Sequence, residues 1–120
     1  MSLELVIPGI PPSVNHYKRG GRGGWGKTPE AVKFQDDIGT LLRGRHVVGK
    51  AFSVVIEINL GPKQKGDVDN FPKVVLDGLA KHGAFRDKKG KHLSDSHVSL
   101  MTISKERWAV AETWVHIEAR

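Results

Sequence analysis

The segments FSVVIEINL at residues 52–60 and GDVDNFPKVVLDGL at residues 66–79 decide the fold of this chain. In the first segment, apolar residues alternate with largely polar ones, which predicts a β-strand with one strongly apolar face. In the second, apolar residues recur at helical spacing behind Asp69 or Asn70 as the capping residue, and Gly83 predicts the helix end. The two segments therefore predict a strand that leads through an acidic turn into a helix.

The flanking sequence predicts one more helix and three more strands. Thr28-Pro29-Glu30 combines a capping hydroxyl, a proline in the first turn and an early acid, so a helix is expected from there to about Arg43, with Gly44 at its end. The remaining predictions are a strand at Leu3–Ile7, a polar, glycine-rich loop at residues 13–28, a charged loop at Arg86–His92, and closing strands at Val98–Ile103 and Thr113–Ile117. The order β-α-β-α-β-β predicts an α/β protein of the α+β type, one domain over residues 1–120, with a mixed sheet of about four strands and two helices packed on it.

Composition narrows the classes of function. The chain has 120 residues, 19 Lys and Arg against 13 Asp and Glu, a net charge of +6 and no cysteine. The basic surplus favours a polyanionic partner, nucleic acid first. The absence of cysteine excludes disulfides and thiolate metal sites. No apolar run reaches the length of a membrane span and no signal peptide is evident, so we expect a cytoplasmic protein without a membrane partner.

The acidic turn is a candidate metal site. Asp67 and Asp69 are two residues apart, and Lys73 is four residues after Asp69, on the same helical face. Two carboxylates this close repel each other unless a cation offsets their charge. A divalent metal held there would activate a water, and Lys73 would neutralise charge in the transition state. The simpler interpretation is an ordinary capped helix with an Asp69–Lys73 pair at i,i+4. Asp77, one turn further on, is expected to pair with Lys73 or Lys81.

A third acid is expected from elsewhere in the chain, and two candidates stay open. Asp95 stands just before the predicted strand at 98–103, and it would reach the site if that strand pairs beside the strand at 52–60. Asp87 is the competing candidate. His92, Asp95 and His97 also form a less favoured transition-metal cluster, since no further ligand for it is evident.

Residues 21–28 match the phosphate-loop pattern G-x-x-x-x-G-K-T letter for letter. That pattern requires a buried strand directly before the glycines, whereas residues 15–19 are polar and basic. Pro29 also removes an amide that a phosphate would need. We therefore expect no nucleotide cofactor, and interpret this stretch as a basic loop that contacts a phosphate backbone.

Three segments of the chain, in the same order, resemble the RusA-type Holliday-junction resolvases. The central resemblance is the Asp-x-Asp-Asn of residues 67–70, followed by Lys73 and by Asp77-Gly78-Leu79. The prolines and Ser-x-Asn of residues 7–15 are similar to the family's opening, and residues 93–98 are similar to its third acidic segment. Lys105 falls where a basic residue often ends the next strand. Two features depart from the family pattern: Ser94 replaces an acid, and the loop at 86–92 is longer than usual.

The resemblance implies a homodimeric, Mg²⁺-dependent endodeoxyribonuclease, with Mn²⁺ as an expected substitute, that resolves four-way (Holliday) DNA junctions by paired symmetric nicks in recombination and repair. It implies a bacterial protein, encoded by a host, a phage or a prophage. By motif position, Asp67, Asp69 and Asp95 would bind the metal and Lys73 would be the catalytic lysine. The alternatives are a basic DNA-binding module without activity and a general metal-dependent nuclease.

Basic residues must surround such an acidic centre, because DNA is itself an anion. Tyr17 and Trp25 are candidates for stacking on unpaired bases, with a packing role as the alternative. Trp108 and Trp114 are interpreted as core or dimer contacts. The predicted DNA-binding residues are Asn15, Lys18, Arg19, Arg22 and Lys27 in the first loop and Lys88, Lys89 and Lys91 in the second.

Overall fold

The computed structural model describes residues 2–12, 18–19, 26–27, 29–61, 72–107 and 109–120. Its secondary structure, in chain order, is β1 (Ser2–Pro8), β2 (Lys18–Arg19), β3 (Gly26–Lys27), α1 (Pro29–Leu42), β4 (Val47–Val48), β5 (Phe52–Leu60), α2 (Pro72–Lys81), β6 (Phe85–Arg86), a 3-10 helix (Asp95–His97), β7 (Val98–Arg107) and β8 (Glu112–Ala119).

Four of the strands form one mixed sheet in the order β1-β8-β5-β7. β8 is antiparallel to both β1 and β5, whereas β5 and β7 run parallel. A parallel neighbour needs a crossover connection, and α2 lies within the segment that joins β5 to β7. The prediction of an α+β fold with about four strands and two helices is therefore confirmed.

The two helices share one apolar core with the sheet. Leu5, Val115 and Ile56 are neighbours on the buried face of β1, β8 and β5, and each is at most 4% exposed. Between the helices, the Gln35 side chain of α1 is fully buried and donates a hydrogen bond to the Val74 carbonyl of α2 at 3.1 Å. This packing fixes α2, and with it the start of the candidate site, against α1.

α2 ends in the way that Gly83 predicts. α2 closes with the paired hydrogen bonds of a Schellman motif, from the Gly83 amide to the Ala80 carbonyl at 3.1 Å and from the Ala84 amide to the Leu79 carbonyl at 3.0 Å. Gly83 has a φ of 74°, a conformation that residues with a Cβ rarely adopt. The motif turns the chain back from α2 into β6.

Two connections that looked like loops in the sequence contain short ladders. Lys18–Arg19 pairs with Gly26–Lys27 inside the predicted loop at 13–28, and β6 pairs in parallel with β4 at the start of the predicted loop at 86–92. Two-residue ladders are held by backbone hydrogen bonds and need no apolar alternation, so their side chains give no periodic signal. Within the described residues, no helix is both long and apolar enough to cross a membrane.

Candidate functional site

Of Asp67, Asp69 and Lys73, the structure describes Lys73, in the first turn of α2. Lys73 lies there, largely exposed, with its Nζ 3.6 Å from an Asp77 carboxylate oxygen. Asp67 and Asp69 lie outside the described residues. The alternative pairing of Lys73 with Asp77 is thus present, and it is a loose i,i+4 pair on the helix surface. Lys73 remains accessible to an incoming anion.

Asp95 begins the 3-10 helix that leads into β7. Ser94 is the N-cap, and its hydroxyl accepts a hydrogen bond from the Ser96 amide, so the turn is organised by serines and not by the acid. No described residue donates a hydrogen bond to the half-buried Asp95 carboxylate, and this 3-10 helix contacts α2. The Asp95 carboxylate is therefore held on an ordered turn next to α2, without a structural task among the described residues.

The strand after Asp95 pairs beside β5, as the sequence prediction required, but the two strands run parallel. Val98 is level with Phe52, so Asp95 lies where β5 begins, whereas the segment 62–71 leaves the opposite end of β5 after Leu60. Strand ends alone therefore do not bring Asp95 to the acidic motif. α2 links the two regions, because it begins directly after the segment 62–71 and contacts the 3-10 helix that contains Asp95.

Asp87 has a clear structural task. Its Oδ1 accepts hydrogen bonds from the amides of Lys89 and Lys91, both at 2.9 Å. Its own backbone completes the turn, with the Asp87 amide donating to the Lys91 carbonyl and the Gly90 amide donating to the Asp87 carbonyl, both at 3.0 Å. These contacts hold the tight turn after β6 together. Aspartate is common in turns because its short side chain can accept hydrogen bonds from nearby backbone amides.

The less favoured transition-metal cluster is not assembled. His92 stacks over Gly83, where an added Cβ would lie 2.7 Å from the ring, while the Nδ1 of His97 is 3.1 Å from the Lys50 carbonyl. The two imidazoles thus serve different neighbours. No group of three or more His, Asp or Glu side chains within the described ranges has the geometry to hold a metal ion.

The predicted DNA-binding residues divide between the two parts of the chain. Lys88, Lys89 and Lys91 are exposed on the turn after β6. Of the first loop, the structure describes the β2–β3 ladder that contains Lys18, Arg19 and Lys27. Asn15 and Arg22 lie outside the described residues, as do Tyr17, Trp25 and Trp108.

The sheet face opposite the helices is open and carries Trp114. This side chain is 40% exposed and neighbours Val6 on β1, so the core alternative for Trp114 is wrong. One row further along β8, His116 has a ring nitrogen 3.1 Å from a carboxylate oxygen of Glu4 and the other 3.1 Å from one of Glu118. The hydrogen bond to Glu118, aided by Glu4 and opposed by partial burial, raises the pKa of His116 above 6.5.

Comparison with proteins of known function identifies relatives of this chain. It is 30% identical over 107 residues to a crossover junction endodeoxyribonuclease of Enterobacteria phage 82, a match that covers 87% of each chain. The chain belongs to the RusA family. It is also 29% identical over 107 residues, again 87% of each chain, to the crossover junction endodeoxyribonuclease RusA of Escherichia coli K12. No family model matches. The expectation of an endonuclease of the RusA type is thus confirmed at the level of the family.

Several cationic residues of this RusA family member escaped the sequence prediction. Arg43, Lys50 and Arg120 are exposed; Arg43 and Lys50 lie between α1 and β5, and Arg120 follows β8. None falls in a glycine-rich or lysine-rich run, so no local signal marks them. Arg120 is brought to the segment 43–51 by its backbone amide, which donates a hydrogen bond to the Ala51 carbonyl at 2.8 Å, a contact between remote residues that leaves no local pattern.

Proposed function

We propose that this protein is a structure-specific endodeoxyribonuclease that resolves four-way (Holliday) DNA junctions by paired, symmetric nicks. The observation that carries the proposal is the match to phage and bacterial crossover junction endodeoxyribonucleases along 87% of both chains. The order of the motifs around residues 67, 73 and 95 agrees with it. The net charge of +6 suits a DNA substrate.

Asp67, Asp69 and Asp95 are the proposed ligands of a divalent cation, with Mg²⁺ first and Mn²⁺ as its substitute. Oxygen donors of this kind are those that Mg²⁺ prefers. Asp95 is supported over Asp87 by its surroundings, because the Asp87 oxygen is already used by two turn amides whereas no described donor engages Asp95. When bound, the cation would polarise the scissile phosphate and lower the pKa of an attacking water.

Lys73 is proposed as the catalytic lysine. Its ammonium is more than half exposed and only loosely paired, so it can turn from Asp77 to a phosphate oxygen at little cost. A cation placed beside the phosphate stabilises the charge that develops as the phosphodiester bond breaks. The lysine would act after the carboxylates have placed the water and the phosphate.

A homodimer is the proposed assembly, because two symmetric cuts suit a two-fold enzyme on a four-way substrate. The open face of the sheet supports this, since Val6, Val55 and Trp114 are each at least 40% exposed on three adjacent strands. Light scattering would report the mass of the wild type and of Val55→Lys. The proposal expects a dimer that the charged side chain disrupts, and a wild-type monomer at cleavage concentrations would refute it.

The decisive test is cleavage of a synthetic four-way junction in Mg²⁺, with a linear duplex of the same sequence as the control substrate. We expect paired nicks in the junction, an uncut duplex, and loss of cleavage with retained binding in Asp69→Asn. Tight binding without cleavage at any Mg²⁺ or Mn²⁺ concentration would instead indicate the inactive DNA-binding module. Equal cutting of both substrates would indicate a general nuclease.

A further inference from the structure

Segments that are far apart in the sequence meet at one end of the four-stranded sheet. Ser2, Glu118, Ser53 and Leu100 form one row across β1, β8, β5 and β7, so the first residues of β1, β5 and β7 and the last of β8 share this end. The segments that enter β5 and β7 and the residue that leaves β8 are thereby brought together. They are residues 43–51, residues 81–97 and Arg120, which we call the basic end.

The basic end holds the charge surplus of the whole protein. It contains nine Lys and Arg residues and two Asp residues, together with four of the six histidines. The remainder of the chain has ten Lys and Arg against eleven Asp and Glu and is close to neutral. A cluster of one sign this dense raises the local concentration of a polyanion.

Most of these cations are free to meet a ligand. Arg45 and Arg86 are engaged, because their guanidinium groups donate to carbonyls near the ends of α1 and α2. None of the nine forms an ion pair with an acid of the described residues. Arg120 donates a hydrogen bond to the Ser99 hydroxyl at 3.1 Å but stays exposed. The other exposed members without a capping role are Arg43, Lys50, Lys81, Lys88, Lys89 and Lys91.

The backbone beneath these side chains is tied together across the three segments. The Val47 amide donates to the Ala84 carbonyl at 2.8 Å, and the Gly49 amide donates to the Arg86 carbonyl at 2.9 Å. The Arg120 amide donates to the Ala51 carbonyl at 2.8 Å. A platform held in this way loses little backbone freedom when a ligand binds, which reduces the cost of binding.

From this arrangement we propose that the basic end binds the phosphate backbone of a double-stranded DNA arm. The inference rests on the proposed function for the choice of DNA, and it adds Arg43, Lys50 and Arg120 to the turn lysines. Lysines and arginines neutralise phosphates whatever the base sequence, so the proposed contact is independent of sequence. The open sheet face, where Glu4, Glu57 and Glu118 lie, is the wrong sign for this role.

The test measures DNA binding in EDTA, where no cleavage occurs. Fluorescence anisotropy gives the affinity for a four-way junction and for a linear duplex at several KCl concentrations from about 50 to about 300 mM. Each phosphate contact contributes about 0.9 to the slope of log K against log salt, and so about 8-fold in affinity at 0.1 M salt. Lys50→Gln should weaken binding of both DNAs by about this factor and lower the slope by about 1. Arg43→Gln combined with Lys50→Gln should lower the slope by about 2.

Lys33→Gln is the matched control, because it removes one exposed charge from α1, where Lys33 pairs with Asp37 at 2.9 Å. It should leave affinity and slope unchanged. Lys50→Gln that behaves like Lys33→Gln would overturn the inference, and so would an effect confined to the junction, which would place Lys50 at the junction centre. A wild type that binds DNA through Lys50 but never cleaves would count against the proposed function alone.

Discussion

Asp95 and Asp87 should separate activity from stability when each is changed. Asp95→Asn removes a negative charge from a carboxylate that no described residue engages, so the free energy of unfolding should change by less than about 0.5 kcal/mol. Cleavage should fall by at least about 100-fold, as expected when one stabilising group of a transition state is lost. Asp87→Ala removes the acceptor of two amide hydrogen bonds and should cost about 1–2 kcal/mol. That loss corresponds to a thermal midpoint lower by about 4–8 °C.

Asp87→Asn is the control that keeps the shape and an oxygen acceptor, and it should be close to wild type in both properties. The assays are single-turnover cleavage of a four-way junction at saturating Mg²⁺ and thermal unfolding followed by circular dichroism. Full cleavage by Asp95→Asn, together with strong loss in a well-folded Asp87→Asn, would refute the assignment and make Asp87 the third ligand.

Three further changes have distinct expected outcomes. Lys73→Gln should slow single-turnover cleavage by about 10²-fold or more but leave the urea midpoint nearly unchanged, because its 3.6 Å pair with Asp77 is exposed; an equal loss of stability would indicate a structural role. Gly78→Val should destabilise by about 2 kcal/mol in urea unfolding, since even a Cβ there lies 2.8 Å from Ile38 Cδ1, and an unchanged midpoint would contradict this contact. His116→Gln removes a side chain whose protonated form is stabilised by Glu118 and Glu4. The wild type should therefore be more stable than this variant below pH 6.5, and the difference should disappear as pH rises through the elevated pKa of His116. Thermal midpoints of both proteins from about pH 5.5 to about pH 9 measure this difference, and a difference that stays constant with pH would contradict the prediction.

The strongest periodic segments were predictable because local pattern and tertiary packing agree in them. β5 spans Phe52–Leu60, as the alternation predicted, and α1 ends at Leu42 just before Gly44. The closing strands proved longer than predicted, at Val98–Arg107 and Glu112–Ala119, because neighbouring strands supply hydrogen bonds to residues whose side chains carry no apolar signal.

The exposure of Trp114 could not be predicted from such a local pattern. Alternation along β8 shows that Trp114 lies on the face opposite Val115. Which face the helices cover depends on packing against the whole sheet, and they cover the face with Val115. Trp114 therefore lies on the open face, although the local sequence was equally compatible with a place in the core.

The chain's sequence was enough to determine its family, its α+β class and the candidate residues Asp67, Asp69, Lys73 and Asp95, because these depend on residue type and on spacing along the chain. Tertiary structure alone decided that β5 and β7 run parallel, so that Asp95 reaches the start of β5 and adjoins α2. It also brought three distant segments into one basic end. Strand direction and the meeting of remote segments are set by hydrogen bonds and packing between parts of the chain far apart in sequence, which leave no local pattern.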